Sequence, residues 1–381
     1  MKIWLKNNLL FLSTTILLFL IISFLVYQQI FTNHYASDTS QHVDIIYKLF
    51  YDTNYYISHP LWHLSSFYIA KLLSIPIEYG AIISSALYVV FWYILIFLFI
   101  TNYVINFTNN IQVMIAMITI LIGPLSIPYY HPIIFVGQGS PNIWHNVTLW
   151  TVRPFAFLSV WFILDGLHKH KKQLLIYGII FTIISIFAKP SFIIMFLPSL
   201  LIYAIATKIY KDRYFMISFL TISLLSIAIL LYQYTHTFNQ KEGQIIIDFL
   251  GVWSLSSPNI PISIALALAF PLSFTLLKSD ILNDKYILIS WIMTFISIIY
   301  YATFAQSGKF YSHGNFGWSY MIAMNLLYVF TITKFFAIYS NLHILKKYIL
   351  LLILISQIII GIYYFIHILM GQNPIYIKIL L

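Results

Sequence analysis

The sequence of 381 residues contains no cysteine, so neither a disulfide nor a thiolate metal site can form within it. Charge is scarce as well, because 8% of the residues are charged and Arg153 and Arg213 are the only arginines. Hydrophobic residues make up 61% of the chain and aromatic residues 19%. This composition excludes a soluble globular domain and indicates a protein that crosses the membrane many times.

Eleven apolar runs predict an all-α bundle of about 11 transmembrane helices, forming one integral membrane domain over residues 1–381. The runs are Leu9–Phe31, Gly80–Tyr103, Ile111–Ile127, Thr148–Leu167, Leu174–Ala188, Pro190–Ala206, Tyr214–Tyr234, Asn259–Leu277, Tyr286–Phe304, Gly317–Ile338 and Tyr348–Met370. The first run follows Lys2 and Lys6 and resembles a signal peptide at its start. Its length and the lack of a cleavage motif predict an uncleaved anchor instead.

The net charge of +10 suggests nucleic-acid binding until its distribution along the chain is considered. Lysine and arginine concentrate in the cytoplasmic loops of membrane proteins. With a cytoplasmic N-terminus and eleven spans, 13 of the 20 basic residues fall inside, whereas nine of the 12 histidines fall outside. The charge therefore reflects topology, no nucleic-acid partner is expected, and polar chemistry is predicted at the external face.

Residues 33–79 are predicted to form the first external loop, which rests on the membrane. Within it, Asn33–Lys71 holds three of the ten acidic residues and four of the twelve histidines. Two short amphipathic helices are predicted here, one opening at Asp38 and the other at Pro60, a residue suited to the first helical position. Their apolar faces are predicted at Val43, Ile46, Tyr47 and Phe50 in the first helix and at Leu61, Leu64, Phe67 and Leu72 in the second.

Asp38 and His42 lie four residues apart and can share one face of the first helix. One interpretation is a carboxylate base that takes a proton from a hydroxyl group. The other is a plain helix cap, since Asp38 stands at an N-cap position and Gln41 completes a capping box. His59 and His63 share the same spacing on the second helix, and with Asp38 they offer a weaker alternative, a zinc site.

Two basic residues lie at positions where a charge is unusual. Arg153 is near the outer end of a predicted span, where a charge is costly unless it lines a cavity or has a partner. Its planar group suits a phosphate, and the alternative is an arginine that snorkels to the interface. Lys189 lies between two short spans, where a cation would fit an anionic ligand. The alternative is an ordinary lysine in a short external turn.

Two further pairs belong to external segments. Trp144 and His145 precede Arg153 and are candidates either for a substrate site or for residues of the interfacial aromatic belt. Lys309 and His313 lie in a Gly-rich, aromatic loop, and its glycines permit close approach of the backbone to a ligand. The alternative for this loop is an ordinary aromatic-rich connection.

The order of a first span, an acidic residue in an external loop with two surface helices, and many further spans resembles the GT-C superfamily of membrane glycosyltransferases. The stretches SDTSQHVDII and YYISHPLWHL are similar to the first loop of bacterial members. The stretches WHNVTLWTVRPFAFL, AKPSF and GKFYSHGNFGW are similar to segments of bacterial polysaccharide-assembly proteins of this kind. The resemblance covers the whole chain in architecture and only these segments in motif.

The resemblance implies transfer of a sugar from a polyprenyl-phosphate-linked donor to a glycan or lipid-linked acceptor, at the external face of the bacterial plasma membrane. It implies that Asp38 is the catalytic base and that His42 orients or tunes it. The substrate-binding residues are then expected among His59, His63, Trp144, His145, Arg153, Lys189, Lys309 and His313. Neither a metal nor another cofactor is expected.

Two other functions stay open. A polysaccharide polymerase or ligase would join lipid-linked glycans by related chemistry, and it is expected to carry a large external loop rich in arginine. A lipid-glycan transporter without enzymatic activity is expected to place charged residues along a central path at both membrane faces. The scarcity of arginine and the one-sided clustering of polar residues favour the glycosyltransferase.

Overall fold

The structure, a computed structural model, describes residues 2–32, 37–52, 55–130, 133–135, 137–237, 243–373 and 377. Positions 33–36 and 53–54 of the first loop lie outside these residues. The described helices are α1 (Lys2–Phe31), α2 (Thr39–Tyr51), α3 (Leu61–Leu73), α4 (Ile77–Tyr103), α5 (Asn109–Leu121), α6 (Val147–His168), α7 (Lys172–Ala188), α8 (Ser191–Thr207), α9 (Arg213–Thr237), α10 (Gly251–Ser254), α11 (Ile260–Ala267), α12 (Ala269–Leu277), α13 (Lys285–Thr303), α14 (Gly317–Ala337) and α15 (Ile344–Leu369). Two short strands, β1 (Ile245–Ile247) and β2 (Phe304–Gln306), pair in an antiparallel sheet.

Seven of the described helices are long and apolar enough to cross a bilayer, so the protein is an all-α, multi-pass membrane protein. These spans lie in α1, α4, α6, α9, α13, α14 and α15. The other predicted spans take different forms. Helices α11 and α12 meet at a bend of 77°, and α5, α7 and α8 have 13, 17 and 17 residues. A 13-residue helix rises only about 20 Å, short of the ~30 Å hydrocarbon core.

The centre of the bundle is formed by α4, α6 and α14, whereas α1, α9 and α15 are mostly exposed at its periphery. Helix α6 is buried along nearly its whole length and packs against α4 and α7. Small residues allow the approach of α7, because a Cβ added at Gly178 would lie 2.5 Å from the Ile163 side chain. Because α6 lies at the centre of the bundle, side chains bound at either of its ends are surrounded by neighbouring helices.

The bend between α11 and α12 frees backbone groups that side chains of α14 and α15 satisfy. The Tyr328 hydroxyl donates to the Ala267 carbonyl at 2.7 Å, and the Gln357 carbonyl oxygen accepts from the Phe270 amide at 3.2 Å. The Gln357 amide nitrogen also donates to the Tyr328 hydroxyl at 2.6 Å. Such polar contacts allow a helix to break at membrane depth. The predicted run Asn259–Leu277 is thus right in extent but wrong as a single straight helix.

The two short helices after α1 lie where the sequence predicts them, and the predicted apolar face of α3 is right only in part. Phe67 of that face stacks on Phe50 of α2, with ring centres 3.4 Å apart. Helix α3 buries Ser66 and Ala70 and leaves Leu72 83% exposed. Its packing partner is α4, where a Cβ added at Gly80 would lie 2.4 Å from the Ser66 carbonyl oxygen. Helices in membranes pack through small residues, because large apolar side chains are equally stable against lipid.

Candidate functional site

Asp38 lies at the N-cap position of α2, but its side chain does not cap the helix. The hydroxyl of Ser37 accepts from the Thr39 amide at 3.1 Å instead, so the interpretation of Asp38 as a capping side chain is wrong. Asp38 Oδ2 accepts a hydrogen bond from Asn146 at 3.0 Å and lies 3.6 Å from His42 Nε2. Oδ1 is buried and has no hydrogen-bond partner among the described residues, while the side chain as a whole is 36% exposed.

Asn146 is the residue that brings Asp38 to the start of α6. Its side-chain oxygen caps the helix by accepting from the Leu149 amide at 2.9 Å and from the Thr148 hydroxyl at 2.9 Å. Asparagine is a favoured N-cap, and this use of its oxygen leaves the amide nitrogen free to donate to Asp38. Sequence reasoning missed Asn146, although an asparagine directly before an apolar run is a recognisable cap signal.

Lys189 extends this arrangement from the junction of α7 and α8. Its ammonium donates to Thr148 Oγ1 at 2.8 Å and lies 4.8 Å from the centre of the Trp318 ring. The side chain is buried, so the interpretation of Lys189 as an ordinary external turn lysine is wrong. Burial lowers the pKa of Lys189 to about 8, and the negative charge of Asp38 opposes that shift.

His42 and His63 meet behind the carboxylate, with His42 Nδ1 at 3.0 Å from His63 Nε2. His63 Nδ1 is buried and has no hydrogen-bond partner among the described residues. Which ring donates in the hydrogen bond between His42 and His63 depends on the tautomers of the two histidines, and the His59 backbone also interacts with His63. The other ring nitrogen of His42, Nε2, faces Asp38. Burial lowers the pKa of His63 to about 3, which keeps His63 neutral.

Six side chains are thus connected, each to the next, by hydrogen bonds and one ion pair, and we refer to them as the Asp38 network. Its members are Lys189, Thr148, Asn146, Asp38, His42 and His63. Burial by itself raises the pKa of the Asp38 carboxyl. The contact with His42 and the nearby cationic groups outweigh burial and leave this pKa below its ordinary value. Asp38 is therefore ionised at neutral pH, a state in which it can accept a proton.

His59 adjoins the Asp38 network without belonging to it. Its ring centre lies 6.5 Å from that of His63, and its Nδ1 lies 3.0 Å from the Ser58 hydroxyl. Burial lowers the pKa of His59 well below its ordinary value, with a further contribution from the charge of Lys189. Among the described residues, no three histidine or carboxylate side chains are placed to hold a metal ion. The alternative of a zinc site at Asp38, His59 and His63 is therefore wrong.

The segment before α6 contributes both its backbone and its side chains. The carbonyl of Trp144 accepts from Gln29 at 2.7 Å and the carbonyl of His145 accepts from Ser37 at 3.2 Å, which ties this segment to α1 and to the start of α2. The Trp144 ring is 1% exposed and packs on Phe365, so it is neither a belt residue nor an open stacking surface. Burial lowers the pKa of His145 to about 4, and its Nδ1 has no hydrogen-bond partner among the described residues.

Arg153 lies inside α6 and not at the interface. Its side chain is buried, and Nη2 donates to the Pro141 carbonyl at 3.2 Å, so the interpretation as a snorkelling arginine is wrong. Asn325 of α14 donates to the same carbonyl at 2.9 Å. Arg153 follows Asn146 by two helical turns, about 10 Å along the axis, and is not a member of the Asp38 network.

Lys309 and His313 lie on a short 3₁₀ helix, Gly308–His313, and both side chains are exposed. The Lys309 ammonium lies 5.3 Å from the centre of the Phe310 ring, and the His313 ring lies 5.5 Å from it. Neither residue is a member of the Asp38 network. The same segment leads into α14, whose Trp318 does reach the network through Lys189.

The opposite end of α6 carries a second acidic residue, Asp165, in a contrasting environment. Lys285 and Lys169 lie 2.6 Å from its two oxygens, and the Tyr286 hydroxyl donates to it as well. Two cavities of about 140 and 220 Å³ lie at this end, both lined in part by Lys334. The carboxylate at this end is already fully paired. The Asp38 network has unsatisfied acceptors among the described residues and is therefore the better candidate site.

Compared with protein-family models, with curated proteins and with solved structures, the chain gives no significant match. The class that the fold defines is a multi-pass helical membrane protein. Its function must therefore be inferred from the chemistry of the Asp38 network.

Proposed function

We propose that the protein is a membrane glycosyltransferase that moves a sugar from a polyprenyl-phosphate-linked donor to a glycan or lipid-linked acceptor. The observation that carries this proposal is the state of Asp38. The carboxylate is ionised, and the side chain is partly exposed. Its buried Oδ1 has no hydrogen-bond partner among the described residues, and a buried lysine lies three hydrogen bonds away. A base beside a cation is the combination needed to activate a hydroxyl and to stabilise a leaving phosphate.

The reaction can be written with each bond accounted for. Asp38 takes the proton of an acceptor hydroxyl, whose oxygen forms a bond to the anomeric carbon of the donor sugar. The bond from that carbon to the phosphate oxygen breaks, and its electron pair leaves with the polyprenyl phosphate. Lys189 balances the charge that develops on this phosphate, because a preorganised cation in a water-poor site acts strongly. We assign a different role to His145, which is neutral because burial lowers its pKa to about 4: a hydrogen bond from Nδ1 to the phosphate.

The histidines behind Asp38 take supporting roles. His42 directs its N–H at the carboxylate, and His63 fixes the tautomer of His42 through the bond of 3.0 Å. His63 is fully buried, so we assign it a positioning role in place of the expected substrate contact. His59, beside a partly exposed loop, stays a candidate substrate contact, as do Lys309 and His313 at the exposed 3₁₀ helix.

Arg153 and Trp144 were expected to contact the substrate, but we propose a structural role for both. Arg153 holds the Pro141 carbonyl, and Trp144 accepts at its own carbonyl from Gln29. Both residues thereby fix the loop that carries His145 and Asn146. In this structure they support the site from behind, and a phosphate contact of Arg153 requires the Pro141 segment to move.

We further propose eleven crossings in a bacterial plasma membrane, with the N-terminus in the cytoplasm and the Asp38 network at the external face. The short helices α5, α7 and α8 and the bent pair α11–α12 then count as spans beside the seven long ones. The positive-inside rule supports this orientation, because Lys169 and Lys285 lie at the Asp165 end of α6.

A transfer assay with purified protein in nanodiscs tests the function. The donor is a radiolabelled sugar on polyprenyl phosphate, and the acceptor is a lipid-linked glycan from a strain lacking the gene. We expect labelled product and free polyprenyl phosphate in equal amounts. Movement of the lipid-linked glycan across the bilayer without bond cleavage would establish the transporter instead. Products that grow by whole glycan blocks would establish the polymerase or ligase.

A further inference from the structure

The strand pair at the Asp38 end of the molecule has an unusual distribution of side chains. In a strand, alternate side chains point to opposite faces. Ile245, Ile247 and Phe249 share one face of the segment containing β1, and Ile247 and Phe249 are 79% and 73% exposed. On the other face, Ile246 is 37% exposed and Asp248 accepts a hydrogen bond from the Tyr311 hydroxyl. The most exposed side chains of the segment are thus apolar, whereas its charged side chain is bonded to a neighbouring segment, the reverse of what an edge strand in water presents.

The backbone fixes the depth of this segment against a candidate transmembrane helix. Ile247 pairs with Phe304, the residue directly after α13. The Leu250 amide donates to the Ala302 carbonyl at 2.6 Å, and the Asp248 amide donates to the Thr303 carbonyl at 2.9 Å. Residues 247–250 therefore lie beside the last turn of α13, one of the helices long and apolar enough to cross a membrane.

The exposed apolar face is continuous with the outer surface of α13. Phe295 and Ile299, four residues apart on that helix, are exposed and lie on the stripe that leads toward the attachment of β1. A spanning helix presents such a stripe to lipid. The outward residues of the strand extend this lipid-facing surface beyond the end of the helix.

From this geometry we infer that residues 245–249 form an interfacial anchor whose Ile245, Ile247 and Phe249 side chains enter the acyl-chain boundary of the leaflet at the Asp38 end. The occupant of this apolar face is membrane lipid. The strand lies at the boundary and not deeper, because the unpaired backbone groups on its free edge need water or lipid headgroups. This inference does not depend on the proposed enzymatic activity.

The anchor is connected to the candidate site through one hydrogen bond, a short segment of chain and a cation–π contact. Asp248 holds Tyr311, which lies on the 3₁₀ helix Gly308–His313, and that segment leads into α14 and Trp318. Trp318 in turn covers the Lys189 ammonium at 4.8 Å. The leaflet surface and the cation of the site are therefore connected through one short stretch of chain.

The absence of cysteine makes a direct test practical, since every single-cysteine variant can be labelled cleanly. Ile246→Cys, Ile247→Cys and Phe249→Cys are labelled with a nitroxide in nanodiscs of phosphatidylethanolamine and phosphatidylglycerol. Collision rates are measured with oxygen, which concentrates in lipid, and with a water-soluble nickel chelate. Leu224→Cys, on the exposed surface of α9, is the lipid control, and Lys171→Cys, in an exposed polar loop, is the water control.

We expect the oxygen-to-nickel ratio at residues 247 and 249 to lie near the Leu224 value, with residue 246 clearly lower, so that the ratio alternates along the strand. Nickel accessibility like that of Lys171 at all three positions would overturn the inference and place the strand in water. Exclusion of both reagents at residues 247 and 249 would overturn it as well, because a protein partner would then cover them. Each variant is included only if its thermal unfolding matches that of the parent protein.

Discussion

One acidic residue lies at each end of α6, Asp38 bound to its N-cap Asn146 and Asp165 within its last turn, and the two differ in how far their charge is satisfied. Asp165 has a lysine at 2.6 Å on each oxygen and a tyrosine hydroxyl in addition. Asp38 has one amide donor at 3.0 Å, a histidine at 3.6 Å and one oxygen without a hydrogen-bond partner among the described residues. A saturated carboxylate stabilises a fold, whereas an unsaturated one keeps an oxygen that can accept a further hydrogen bond or a proton.

The largest expected effect comes from removing the basicity of Asp38. Asp38→Asn keeps the shape of the side chain and should lower the rate of sugar transfer by ~10²–10⁴-fold, the usual contribution of a positioned base. Thermal stability should change little, because the side chain does not cap α2. Asp38→Ser serves as a matched control for helix capping. Full activity in Asp38→Asn would reject Asp38 as the base and would end the functional contrast between the two acids.

Lys189 should give the next largest effect. Lys189→Gln retains a donor for Thr148 but loses the charge, and transfer should fall by about 10²-fold, as for loss of one electrostatic donor. The lowered pKa of about 8 predicts that wild-type activity declines as pH rises through that value, because the cation is then lost. Lys189→Arg should move this alkaline decline to higher pH. An unchanged pH profile in Lys189→Arg would contradict the assignment.

Asp165 should show the opposite pattern. Asp165→Asn leaves Lys169 and Lys285 without their partner and should cost about 3 kcal/mol of stability, the lower end for breaking a buried ion pair. Activity per folded molecule should stay within about threefold of wild type, since this is the scatter of a substitution that leaves the chemistry alone. Thermal unfolding in nanodiscs and a transfer assay at low temperature separate the two quantities. A catalytic defect in Asp165→Asn without loss of stability would show that Asp165 and Asp38 do not differ in function as proposed.

His63 should have the smallest effect on activity. His63→Gln keeps a donor toward His42 and should be nearly neutral, whereas His63→Leu loses the hydrogen bond and should lower activity by about fivefold, for ~1 kcal/mol of positioning. The rescue by glutamine distinguishes positioning from packing. Equal defects in both variants, in proteins of normal stability, would show that His63 does more than fix a tautomer.

A topology measurement sharpens the comparison without perturbing the site. Reporter fusions after Lys172 and Arg213 should report the cytoplasm, and fusions after Asp52 and Ser312 should report the exterior, because the positive-inside rule places the lysine-rich end inside. If each group of fusions gives its predicted signal, Asp38 and Asp165 lie on opposite sides of the membrane. A cytoplasmic signal at Asp52 would reverse the orientation and exclude a donor presented at the outer face.

Apolar length and helix signals were enough to predict the seven long apolar helices and the two short helices after α1, because both signals are local properties of the sequence. Helices α2 and α3 lie where the cap residue Asp38 and Pro60 place them. The bend between α11 and α12 was not predictable in this way. It depends on Gln357 and Tyr328, which are distant in sequence and reach the break only in the folded bundle.

The site was predicted in part for a similar reason. Asp38 and Lys189 stand out because charge is rare in this sequence. Asn146 does not, since an amide has no charge to mark it and its contact with Asp38 spans 108 residues. The burial of Trp144 was not predictable either. A tryptophan at the end of an apolar run has the same local sequence pattern whether it lies in the interfacial aromatic belt or in the core. The strand β1 was missed because three isoleucines show no alternation of polarity.

The direction of α6 has a consequence for both of its ends. Aligned peptide dipoles give a helix about half a positive charge at its N-terminus and half a negative charge at its C-terminus. Asp38 is bound to the residue that caps the N-terminus of α6, so the helix itself stabilises the anion there and needs few partners to do so. Asp165 lies near the C-terminus, where the same field repels a carboxylate, and two lysines are present. The backbone of α6 thus favours negative charge at one of its ends only, and in the proposed reaction that charge includes the one on the departing phosphate.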